Sequence, residues 1–258
     1  MGPLSHPSPV KDGDVAYTDE RVARAITRYL VEHHDLRKTS TIWEPCAGDG
    51  AFVRELLALT AAPVLAHDLD PDAPIHRGVL DPRGLPPADG GFPEGAPQRL
   101  WVRQASYETQ TRGVGWVVTN PAFTLLDDII KFMAEICTDG FALLFLTQAL
   151  NPVKRDYIWR DMRPVETVDL SPRSPFKRPR AKAKIEAAQA ELARLEGEAL
   201  FPGAGPEIPE GLRKLAAKKY NPRATDMREY CFGVWRPPFN APFIRRRRLN
   251  WKTGEVFG

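Results

Sequence analysis

Cysteine is scarce in this sequence: Cys46, Cys137 and Cys231 stand far apart, with no CxxC pair and no histidine at ligand spacing. That pattern argues against a structural zinc site or any other metal centre and against a disulfide framework, and it fits a reducing cytoplasm. Long apolar runs are missing as well. No stretch approaches the ~20 residues needed to span a bilayer, so no membrane partner is expected. Residues 1–16 carry proline and glycine but no apolar segment of the secretory kind, and read as a disordered tail. Two nucleotide signatures are also absent. Without GxGxxG and without Gly-Lys-Ser or Gly-Lys-Thr, dinucleotide and nucleoside triphosphate ligands lose ground.

What is present is a chain of 258 residues, 43% hydrophobic, with a net charge of only +3. That size accommodates one large domain with an elaboration. The basic residues bunch late, at 173–184 and 245–252, while acidic residues are spread through the first half. Such asymmetry points toward a polyanion.

The stretch that organises the chain is Glu44-Pro45-Cys46-Ala47-Gly48-Asp49-Gly50. It follows a short apolar run at 41–45, precedes a helical pattern at 51–59, and reads as strand, glycine turn and helix. Before it, Val22, Ile26 and Leu30 recur at a spacing of four, with Thr18 placed as helix cap. After it, residues 63–70 form a second strand ending in Asp68 and Asp70. A strand is expected at 100–102 and a buried β-branched one at 116–119, which stops at Asn120-Pro121-Ala122-Phe123. A helix follows at 125–136 with Gly140 as its stop, then a strand at 141–147. This alternation predicts a parallel sheet with helices on both faces.

The rhythm then changes. Strands are expected at 165–170 and 230–235, and between them residues 171–226 hold a basic loop and two helical patterns, at 181–200 and 212–220. They read as a helical insertion. The domain plan is therefore a core of 17–170 with 227–240, the insertion 171–226, and a basic tail 241–258.

Two constellations carry chemistry. A glycine turn with a carboxylate, Asp68, about twenty residues further on suits a ligand with a ribose, whose two hydroxyls the acid accepts. Asn120-Pro121-Ala122-Phe123 suits a planar NH2. The Asn oxygen and the Pro carbonyl accept from that amine, directing its lone pair at an incoming electrophile, while Phe123 stacks. His33, His34, His67 and His76 read as surface or packing residues.

On these residues the chain resembles the class I S-adenosylmethionine-dependent methyltransferases, and within them the N6-adenine DNA methyltransferases, including compact bacteriophage enzymes and restriction-modification partners. The resemblance implies a Rossmann-like seven-stranded α/β sheet, its last strand antiparallel, with the insertion between the last two strands. It implies S-adenosyl-L-methionine as cofactor, surrounded by Tyr17, Thr18, Glu44, Pro45, Ala47, Gly48, Gly50, Asp68, Ser106 and Asn120. Catalysis falls to Asn120, Pro121 and Phe123, and DNA contact to Arg173, Phe176, Lys177, Arg178 and Arg180 of the late target region. The sequence departs from the family twice. Ala122 replaces a second proline, and Gln104-Ala105-Ser106-Tyr107 stands where an acid and an aromatic residue are usual. The same loop also fits an RNA base amine or a protein glutamine amide, and a module with the fold but no activity is a further alternative.

Overall fold

The structure is a computed structural model and describes residues 17–77, 99–110, 113–150, 155–172, 176–177, 179–198, 208–218 and 229–258. The tail 1–16, most of the irregular connection after residue 77, and Arg173 and Arg178 lie outside the described residues.

A short strand β1 (Tyr17–Thr18) leads into helix α1 (Glu20–His33). The helix is capped by Asp19, whose carboxylate accepts from the Arg21 N–H at 2.9 Å, and not by Thr18 as the spacing predicts. Thr18 is one residue too early: it lies in β1, and its hydroxyl serves a different loop. Strand β2 (Ile42–Glu44), helix α2 (Ala51–Leu59) and strand β3 (Val64–Asp68) follow. Strand β4 (Leu100–Gln104) is longer than predicted because its second half pairs with His67 and Asp68 at the end of β3. Then come β5 (Val114–Thr119), α3 (Leu126–Ile136), β6 (Cys137–Leu146), α4 (Asp156–Asp161), β7 (Glu166–Ser171), β8 (Phe176–Lys177), α5 (Pro179–Glu198), α6 (Glu210–Ala216), β9 (Tyr230–Trp235), β10 (Arg245–Asn250) and β11 (Val256–Phe257).

The main sheet has nine strands, in the order β11-β10-β7-β9-β6-β5-β2-β3-β4. The seven strands from β7 to β4 match the expected sheet, with β9 antiparallel between β6 and β7 and the helical insertion α5 and α6 between β7 and β9. Its central strands β2, β5, β6 and β9 are buried on both faces. Ile42, Trp116, Val118, Ala142 and Leu144 face the layer of α1 and α2, built on Val22, Ile26, Leu30, Phe52 and Leu56. Trp43, Val117, Phe141, Leu143 and Phe145 face α3 and α4, built on Leu126, Ile130, Met133 and Ile158. The period of two thus feeds two cores, and each fully buried Leu or Ile contributes about 2 kcal/mol. Gly140 is not a helix stop. Helix α3 passes straight into β6, and Gly140 sits inside that strand, where an added Cβ would meet the Trp235 carbonyl oxygen at 2.6 Å.

The segment 241–258 is not a tail. Strand β10 runs parallel to β7, with Arg245 opposite Glu166 and Asn250 opposite Ser171, and β11 folds back on β10. The arginine run works as a strand because alternate residues find acids on two faces: Arg247 Nε lies 3.2 Å from Glu166, and Arg246 Nη2 lies 3.0 Å from Asp169. Leu249 and Trp251 add apolar burial. Among the described residues, no helix is long and apolar enough to cross a membrane.

Glu166, only 1% exposed, ties β7, β10 and α1 together. Its Oε2 accepts from the Tyr29 hydroxyl at 2.7 Å and lies 2.8 Å from His34 Nε2. Burial resists its ionisation, but the hydrogen bonds from His34 and Tyr29 and the nearby Arg247 outweigh burial and hold the carboxyl below its ordinary value. Glu166→Ala is expected to lower stability by about 3 kcal/mol in urea unfolding at pH 7, because it strands buried partners. The contribution of this ionisation is present above the ordinary carboxylate value of 4.5 and is lost as pH falls through the lowered one. Unfolding midpoints of wild type and variant should therefore converge in acid.

Candidate functional site

Strands β2, β3 and β4 spread to one side of β2 while β5 and β6 lie on the other, so the strand order reverses between β2 and β5. The connecting chains part there and leave a crevice outside the carboxyl ends of the strands. Two conspicuous turns meet at that crevice: Pro45 to Gly50 after β2, and Asn120 to Phe123 after β5.

The glycine turn needs its glycines at two points. Gly48 has φ 54° and Gly50, the cap of α2, has φ 79°, both in the left-handed region. The turn is closed by the Gly50 N–H donating to Ala47 O at 2.7 Å and anchored to β3 by the Ala47 N–H donating to His67 O at 2.9 Å. The Tyr17 ring lies directly on Gly48, where an added Cβ would sit 2.9 Å from Tyr17 Cδ1. Gly48 is thus required both for its dihedral and for this approach.

Glu44 ends β2 and is 1% exposed. Its Oε1 accepts from the Cys46 N–H at 3.1 Å and from the hydroxyl of Thr119 at the end of β5. Its Oε2 is buried without a hydrogen-bond partner. Burial pushes this carboxyl up to about 8, against the pull of Thr119 and the Cys46 N–H. Burial likewise pushes the Cys46 thiol well above its ordinary value, which leaves it no nucleophilic thiolate near neutral pH.

An open cleft lies over these groups. Of the residues named from sequence it brings together Tyr17, Thr18, Glu44, Ala47, Gly48 and Asn120. Pro45, Gly50, Pro121, Phe123 and Asp68 are not among its lining residues. The Asp68 Oδ2 accepts from the Gly48 N–H at 2.7 Å and its Oδ1 from the Asp70 N–H at 2.9 Å. Burial raises its carboxyl, and those two backbone donors pull it down. The Ser106 hydroxyl accepts from the Glu108 N–H at 3.4 Å and caps the short helical turn Tyr107–Thr109. Phe123 is half-buried, its ring 6.2 Å from that of Tyr230 and tilted by 43°. Phe176 and Lys177 form β8, and Arg180 lies in the first turn of α5.

Four cleft residues escape sequence reasoning: Cys46, Asp49, Ala51 and Phe52. The last two are helix positions that an apolar pattern assigns to the core alone. Thr119 was also missed, although a hydroxyl in an otherwise apolar buried strand is itself a signal of a polar partner. The pairing of β1 with β8, Tyr17 opposite Lys177 and Thr18 opposite Phe176, left no trace in either segment alone.

No family model and no curated protein matches the sequence. Among solved structures, the chain is similar to a candidate class I S-adenosylmethionine-dependent methyltransferase from Listeria monocytogenes, with a TM-score of 0.50 and 8% identity over 90% of this chain and 65% of that one. The fold is that of the class I methyltransferases. Other similar structures are a candidate RNA methyltransferase from Pyrococcus horikoshii (TM-score 0.44, 19% identity, 62% of this chain and 75% of that one) and the magnesium protoporphyrin IX methyltransferase of Synechocystis (TM-score 0.41, 12% identity, 83% and 81%).

Gly48→Ala is expected to cost about 1–2 kcal/mol from the left-handed dihedral, and more from the clash with Tyr17. Adding Tyr17→Ala should restore only the clash part, which urea unfolding of the single and double variants measures.

Proposed function

We propose that this chain transfers a methyl group from S-adenosylmethionine to the exocyclic N6 amine of adenine in DNA. The observation that carries the reading is one cleft with a partnerless buried carboxylate oxygen, Glu44 Oε2, on the β2 side and the amide of Asn120 on the β5 side. The first suits the donor's ammonium and the second an acceptor's amine.

The residues present fit the cofactor. Glu44 offers an acceptor whose burial cost a cation relieves. Gly48 and Gly50 let the backbone approach closely, Tyr17 closes the turn, and Asp68 retains lone pairs for ribose hydroxyls beyond its two backbone bonds. Ser106, engaged as a cap, is not needed for this fit. When bound, the cofactor supplies an electrophilic methyl on a sulfonium with a neutral thioether as leaving group. The chain's own work is to position the acceptor. Asn120 Oδ1 and the Pro121 carbonyl accept from the amine, drawing its lone pair out of conjugation with the ring, and Phe123 offers a stacking face. Neither group is a strong base; the proton is surrendered once nitrogen has become cationic.

DNA is favoured as the acceptor's carrier by the insertion, whose basic first part begins beside the cleft at β8. Cationic groups near a base lifted from its stack serve the surrounding phosphates. Helices α5 and α6 pack as a hairpin, joined by the Gln189 amide donating to Ala216 O at 3.0 Å.

Labelled methyl should enter DNA, and Asn120→Ala should lower turnover about 100-fold or more while leaving cofactor affinity within a few fold. Label entering RNA or protein instead, or entering DNA equally with Asn120→Ala, overturns the reading. A pH series gives a second check. The Glu44 carboxyl titrates at about 8 in the free protein, so an ammonium ligand drives its proton off on binding. Cofactor affinity by calorimetry should rise from pH 6 to 8.5 and level off, with proton release at pH 7. Glu44→Gln should bind weakly and lose this slope.

A further inference from the structure

The contact that links the two halves of the cleft lies in β1. Asn120 Nδ2 donates to Thr18 Oγ1 at 3.1 Å. Thr18 is only 5% exposed, and three restraints act on it. Its backbone pairs with Phe176 in β8, the next residue caps α1, and the preceding residue lies with its ring on Gly48.

An asparagine amide has an accepting end and a donating end, and only the accepting end can hold an amine by its N–H groups. Turned the other way, the NH2 would meet the acceptor's own N–H groups and repel them. In the structure the donating end is the one engaged by Thr18. We propose that Thr18 is a positioning residue that holds the Asn120 side chain in place at the cleft, accepting its Nδ2–H in the arrangement that turns Oδ1 toward the acceptor amine. This rests on the reaction proposed above and adds to it a reason why the two-residue strand β1 is tied down at both ends. The same strand covers Gly48 on the donor side, so donor cover and acceptor orientation share one short element.

The test uses the full-length protein with asparagine labelled by nitrogen-15. The sequence holds five asparagines, so the Asn120 side-chain amide is assigned by its disappearance in Asn120→Asp. In wild type without cofactor, the Asn120 NH2 protons should be strongly inequivalent and slow to exchange. Thr18→Val, similar in shape but unable to accept, should remove that signature and lower kcat about 5- to 10-fold, the worth of one positioning hydrogen bond, with KM and cofactor affinity changed less than about 2-fold. Thr18→Ser should restore both. An unchanged amide signature in Thr18→Val, or an effect on cofactor affinity equal to that on kcat, overturns the assignment. If wild type methylates no adenine, the proposed reaction fails separately. The amide signature then decides the Thr18 contact alone, and kcat is read on whichever amine the protein does methylate.

Discussion

A carboxyl group taken out of water must be answered by its surroundings, and Glu44 is the group to which the architecture of this cleft answers. It ends β2, takes a hydrogen bond from the turn that follows and another from Thr119 at the tip of β5. Those two strands are where the chain's direction of travel across the sheet reverses. The bond across the switch point therefore holds the turn after β2 and the turn after β5 in one frame. With Oε2 left without a partner, burial favours the protonated, neutral form of the group. Folding accepts an unfavourable arrangement at the place where a ligand can relieve it.

Glu166 makes an instructive contrast, since it is equally buried and has the opposite fate. Glu44 is met by a hydroxyl and a peptide N–H, so burial wins and its proton is retained. Glu166 is met by Tyr29, His34 and Arg247, so its charge is kept despite burial. The difference lies in what the neighbouring elements bring. A carboxylate supplied with charged and aromatic-hydroxyl partners is a finished structural joint. Both carboxyl groups take their hydrogen bonds on one oxygen, but the other oxygen of Glu166 lies 3.2 Å from the Arg247 guanidinium, whereas the other oxygen of Glu44 has no such cation beside it among the described residues.

The strands of the sheet core were legible because they are apolar runs bounded by turn residues, and β2, β3, β5, β7 and β9 lie within a residue or two of their expected ends. The turn at 44–50 was legible because two glycines and an acid at a strand tip are local features. The strand β10 was hidden by composition: four successive arginines look like solvated chain until Glu166 and Asp169 are found opposite them. Thr18 was misread as a helix cap because a hydroxyl before an acidic first turn satisfies the same pattern whether or not the next residue, Asp19, does the work. The β1 and β8 pairing joins residues about 160 positions apart through backbone groups, whose hydrogen bonding carries no side-chain signature. Asp68 was found at the right strand end, but its two bonds to the backbone of Gly48 and Asp70 depend on how the turn sits against β3, which no local pattern records.

The C-terminal hairpin has a consequence for the molecule among its own copies. A sheet edge with free peptide groups invites another chain to add a strand, and a strand as short as β11 covers only the last part of β10. The uncovered part carries Arg245, Arg246 and Arg247. A second copy approaching that edge in register would set arginine against arginine, and like charges placed opposite one another oppose such pairing. Arg246 and Arg247, which tie the strand to Asp169 and Glu166 from within, thus also charge its outer edge.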